Sequence, residues 1–186
     1  NGVVRPAQND SLVQNVSGGK IKNLNYEEGK KVEQGDILYV IENKTLQFKR
    51  ENITERIKDL KDEISNLKRL EESVNQSQNL FDKEEQLRYY NRYLDYQFQR
   101  EQLQISYNQA QDRYLKEQDL MKSGAVTPNQ LEESKAKYRS AELKLQSHKN
   151  EVLISIKEEI KTNQDRVNQL EEDYNSITDK IDLSKV

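Results

Sequence analysis

The sequence predicts a mainly α fold: a long antiparallel coiled-coil hairpin, with two ascending helices stacked along one descending helix, preceded by a small β region. Three observations predict it. Apolar and aromatic residues recur at alternating spacings of three and four over 46–74 and again over 89–182, the spacing that keeps one helical face on a partner. Five of the six glycines (Gly2, Gly18, Gly19, Gly29 and Gly35) fall within residues 1–43, and the sixth, Gly124, lies in the stretch RYLKEQDLMKSGAVTP. Finally, residues that oppose each other on antiparallel helices have numbers of constant sum, and two such series run through the chain.

Composition supports a thin apolar seam rather than a thick core. Hydrophobic residues make up 33% of the 186 and charged residues 34%. The sustained periodicity and the scarcity of glycine and proline argue against disorder. The net charge of -3 comes from well-mixed acids and bases, so no basic patch points to nucleic acid. With no cysteine there is no disulfide and no cysteine-ligated metal. No run of about eighteen apolar residues is present to span a membrane. Asn1 is not expected to be the native start, and an upstream signal or anchor is expected.

Residues 1–43 read as short strands at 12–16, 20–26 and 37–41, separated by turn signals. The last of these, ILYVI, is too short and too β-branched for a helix. From residue 46 the heptads begin, and a first helix is expected over 46–74. Ile53, Ile57, Leu60, Ile64, Leu67, Glu71 and Val74 pair at constant sum with Ile181, Ile177, Tyr174, Leu170, Val167, Asn163 and Ile160. A polar link follows at 75–88.

A second helix, 89–122, carries Tyr89, Tyr93, Tyr96, Leu103, Tyr107, Ala110, Tyr114 and Met121 on one stripe. Tyrosines at this spacing read as seam residues with their hydroxyls at its edge. Tyr114 pairs with Tyr138, Ala110 with Ala141, Tyr107 with Leu145, Leu103 with His148, Arg100 with Val152 and Tyr96 with Ile156. This register is offset from the first by about 17 residues, between four and five turns, which places an excursion in the link.

The tip spans 123–127. Gly124 tolerates the positive φ that closes a helix, and Pro128 suits the first turn of the next. The last helix is expected over 128–182, on the order of 80 Å long. Its stripe of Leu145, His148, Val152, Ile156, Ile160 and Asn163 contains a stutter that locally unwinds the supercoil.

Little enzymatic chemistry can be assembled. His148 is the single histidine and reads as a seam residue facing Leu103, so no ordinary zinc site is available. The carboxylates alternate with lysines on outward faces, as Asp59 and Glu63 do. There is no phosphate loop and no nucleophile elbow. The chain reads as a non-enzyme with no catalytic residues, no metal and no cofactor.

The stretch VSGGKIKNLNYEEGKKVEQGDILYVIE is similar to the first half of a biotinyl/lipoyl domain, through Gly19, an alternating strand, Gly29, Val32, Gly35-Asp36 and a final apolar strand. A helix follows where the second half of a carrier domain would come. Residues 1–43 followed by a helical hairpin over 44–183 resemble the HlyD-type membrane fusion, or periplasmic adaptor, proteins. In that family a hairpin is inserted between the lipoyl halves, and the second half would start at 184–186. Lys44 stands one residue short of the carrier lysine in the pattern Ile-Glu-Thr-Asp-Lys-Ala, and reads as a solvated helix-start residue.

At the tip, Arg113, Leu120 and Thr127 match the family's motif of Arg, six residues, Leu, six residues, Ser or Thr. The resemblance implies end-on docking of these residues to a TolC-like outer-membrane channel. The residues alone equally allow Leu120 to pack, Thr127 to cap and Arg113 to pair with a nearby acid. RYYNRYLDYQ and the Asn/Lys/Ile/Tyr-rich usage also resemble the adaptors of Gram-positive bacteriocin exporters, whose tip would meet another partner or another copy.

The resemblance therefore implies an extracytoplasmic adaptor of an ABC exporter for protein or peptide secretion, anchored by an upstream transmembrane helix. Its partners would be the inner-membrane transporter, the channel, and further copies in a ring or tube. The alternatives are a carrier-like enzyme subunit modified on Lys44, or a purely structural coiled-coil protein.

Overall fold

A computed structural model describes residues 20–183. The expected strand at 12–16, together with Gly2, Gly18, Gly19 and residues 184–186, lies outside the described residues. The elements run β1 (Ile21–Leu24), β2 (Tyr39–Ile41), α1 (Lys44–Gln76), α2 (Leu87–Lys122) and α3 (Pro128–Asp182). The protein is mainly helical, and the helices are long because their interiors hold neither glycine nor proline. The chain divides into two compact units: Asn1–Asp59 with Val167–Val186, and Leu60–Arg166.

In the first unit β1 and β2 form a two-stranded antiparallel sheet, with an irregularity between Ile21 and Asn23. Gly29 and Gly35 hold positive φ in the connecting turns, where the Asp36 carboxylate also accepts the Glu33 amide at 2.9 Å. Among the described residues the sheet has two strands only, so the half lipoyl-like domain is a reading of the sequence. Lys44 is the first residue of α1. Its ammonium lies 3.0 Å from the Glu42 carboxylate and holds that carboxyl below its ordinary range.

The second unit contains a core of Leu67, Leu70 and Val74 from α1, Phe81 from the link, Tyr89, Tyr93 and Tyr96 from α2, and Ile156 from α3. This corrects the expected end-to-end stacking of the ascending helices: α1 and α2 overlap side by side. Arg88 reaches the Glu63 carboxylate at 3.3 Å, and the Gln86 amide donates to Asn66 at 3.1 Å. The link, residues 77–86, doubles back between them. Ser77 holds a positive φ of 55°, the Ser73 hydroxyl accepts the Leu80 amide, and the Phe81 ring stacks on Tyr89 at 5.5 Å.

Overlap is favoured because it places three apolar stripes around one centre. End-to-end stacking would leave Phe81 and the far side of Tyr89 in water. Arg92 then clamps α2 to α3 through a two-pronged ion pair with Glu159, with one N–H···O contact of 2.9 Å.

Nearer the tip, α2 and α3 pack as a pair. Tyr114 and Tyr138 stack at 5.7 Å, matching the expected register. Two further contacts tie other levels of the seam: the Tyr107 hydroxyl meets that of Tyr138 at 3.2 Å, and the His148 ring stacks on Tyr96 at 5.5 Å. Coiled-coil side chains interdigitate, so a knob such as Tyr138 touches residues on either side of its level; a one-to-one register does not represent this. His148 is buried in this seam.

Candidate functional site

The tip is built from two helix ends whose backbone groups are satisfied locally. At the end of α2 the Ala125 amide bonds back to the Leu120 carbonyl at 3.0 Å, and the Gly124 amide to Met121 at 3.1 Å. These paired bonds close a helix around a left-handed residue, and Gly124 supplies it with φ +76°. At the start of α3, Pro128 is the first helical residue. The Thr127 hydroxyl accepts the Gln130 amide at 3.3 Å, while the Gln130 side chain accepts the Thr127 amide at 2.9 Å. This is a reciprocal capping box.

The structure brings Leu120, Gly124, Thr127 and Pro128 together at the turn. Leu120 is 46% exposed while its carbonyl is engaged by the turn. Arg113 stands two turns below on α2. Its guanidinium donates to Glu117 at 2.9 Å, with the arginine side chain 63% exposed and the glutamate side chain 14% exposed.

One oxygen of the half-buried Glu117 carboxylate is closed off from solvent near the Ser134 hydroxyl, which can turn its single proton to that carboxylate or to the Leu131 carbonyl, 2.9 Å away. Ser134 first and Arg113 second hold the Glu117 carboxyl below the ordinary carboxylate range. On the neighbouring turn of α3, Lys137 does the same for Glu133.

The arrangement thus presents an apolar side chain at the turn and, about 10 Å down the helix, a guanidinium fork with donors to spare. It can dock on a protein surface with carbonyl or carboxylate acceptors; it has no group placed to break a bond. Sequence reasoning passed over Glu117, Gln130 and Ser134. Two signals could have found the first two: Glu117 lies four residues after Arg113, the spacing of a helical ion pair, and Thr127 to Gln130 spells the capping-box pattern.

Residues 49–142 match the family model described as LcnD-like, long helical bundle domain. The matched segment includes most of α1, all of α2 and the tip. No curated protein sequence matches the chain.

Proposed function

Because the chain belongs to the LcnD-like family through its long helical bundle domain, we propose that it is the extracytoplasmic adaptor of an ABC-type exporter of bacteriocin-like peptides. The observation that carries this reading is the family match across the bundle and tip, since that family serves bacteriocin secretion as an accessory and is related to the HlyD-type adaptors. The bundle spans the gap between the membrane transporter and whatever receives the cargo. The β region, read as half of a lipoyl-like domain, gathers copies near the membrane. The tip meets the receiving partner, a TolC-like channel where an outer membrane exists, through Leu120 and Arg113. Several copies side by side line the route of the peptide.

The exposure of Leu120 and Arg113 supports a docking role for them, because neither is spent on the core. The test is export by intact cells carrying Arg113→Ala with Leu120→Ser. Helicity and melting stay near those of the parent while secreted peptide falls sharply. Undiminished export with both changes present would reduce the tip to a turn.

A further inference from the structure

An arginine that forms a two-pronged pair with a carboxylate of its own chain has its donor fork occupied. Arg92 is in that state: both of its terminal nitrogens meet Glu159. Arg113 is not. It donates to Glu117 through Nε, at 2.9 Å, and neither terminal nitrogen has a partner among the described residues. One edge of the guanidinium is therefore fixed, and both terminal nitrogens keep their donors open.

Glu117 can hold the arginine because it is itself held. Its side chain is 14% exposed, and the anchor behind it, Ser134 on α3, is 2% exposed. Glu133, the other acid whose field reaches Arg113, is paired with Lys137 and does not compete. Helix stability does not account for the pair. Exposed pairs four residues apart are worth little, and the order here, arginine before glutamate, is the less favourable one. What the pair does is orient. A long side chain already tethered at Nε gives up less freedom when it docks than a free one. Arg113 also borders a groove of about 450 Å³, lined in addition by Gln109, Asp112, Lys116 and Glu117, which leaves room for an incoming side chain.

We propose that Glu117, seated by Ser134, is a positioning residue for docking at the tip. It takes Nε of Arg113 so that the two terminal nitrogens meet a pair of acceptor oxygens on the receiving protein. The inference rests on the docking reading of Arg113 and Leu120, and adds what aims the arginine.

Two readouts test it: export by intact cells, and the Nε–H signal of Arg113 in NMR spectra of the purified chain. In the parent that proton is protected from exchange with water. Glu117→Leu removes the protection and lowers export several-fold, with melting unchanged. Glu117→Gln, which keeps an acceptor oxygen, retains most of the export. Exchanging the two residues, Arg113→Glu with Glu117→Arg, preserves an ion pair in the better helical order but turns the fork inward. Its export falls as far as that of Arg113→Ala. Should the exchange also lower the melting temperature, the two single changes at Glu117 decide. An unprotected Nε–H in the parent overturns the proposal, as does parental export by the exchanged pair. Parental export by Glu117→Leu while Arg113→Ala fails would leave docking standing and remove the positioning role. Parental export by Arg113→Ala would fault the docking reading, and this inference with it.

Discussion

Gly124 sits at φ +76° with no heavy atom within 4 Å of where a Cβ would lie, so what confines the position is backbone conformation rather than space. That requirement is readable from a lone glycine between two periodic segments. Thr127 and Pro128 are equally readable, because a cap and a helix-starting proline act through their immediate neighbours. Glu117 was harder to see: its environment is made by Ser134, which lies across the turn on α3, and spacing within one helix does not reveal it.

The chemistry of Glu117 gives a pH prediction. Its folded pKa is depressed, so the stability it contributes is present above the unfolded value, about 4.3, and is lost as pH falls through the lower folded value. Ser134→Ala removes the largest cause of the depression. An NMR titration of the Glu117 carboxyl is expected to show its pKa rising toward the ordinary value, and the acid-side loss of stability becoming smaller and complete at higher pH. An unchanged titration would assign the depression to Arg113 alone.

At the scale of elements, α1, α2 and α3 were legible because 3-4 periodicity survives whatever partner a helix finds. The break between α1 and α2 was legible as a jump in register. The overlap of these two helices was not. A pairwise register matches each ascending helix to α3 only and has no term for a third helix. Phe81, which fills the space between them, stands with only Leu80 beside it in a polar stretch.

The overlap makes a sharp contrast between two aromatics on one helix. Tyr93 is 2% exposed within the three-helix core, and Phe98 faces outward. Tyr93→Ala is expected to cost about 3–5 kcal/mol in urea unfolding. Phe98→Ala in dilute protein should stay within about 0.5 kcal/mol of the parent. Comparable losses at both positions would mean that Phe98 belongs to the core of the single chain.

At the scale of the molecule, composition and periodicity together indicated a seam-built helical protein, and the family match over residues 49–142 agrees with it. The division into Leu60–Arg166 and a second unit holding the sheet was not legible, because α1 and α3 cross the boundary without a composition change. The central claim concerns the whole molecule in its cell: that it serves peptide export and no other step. Its coding sequence can be deleted from a producing strain, and active peptide assayed separately in the medium and in the cells. The account predicts that peptide disappears from the medium, persists within the cells, and returns to the medium when the gene is restored. Full peptide activity in the medium of the deletion strain would contradict it.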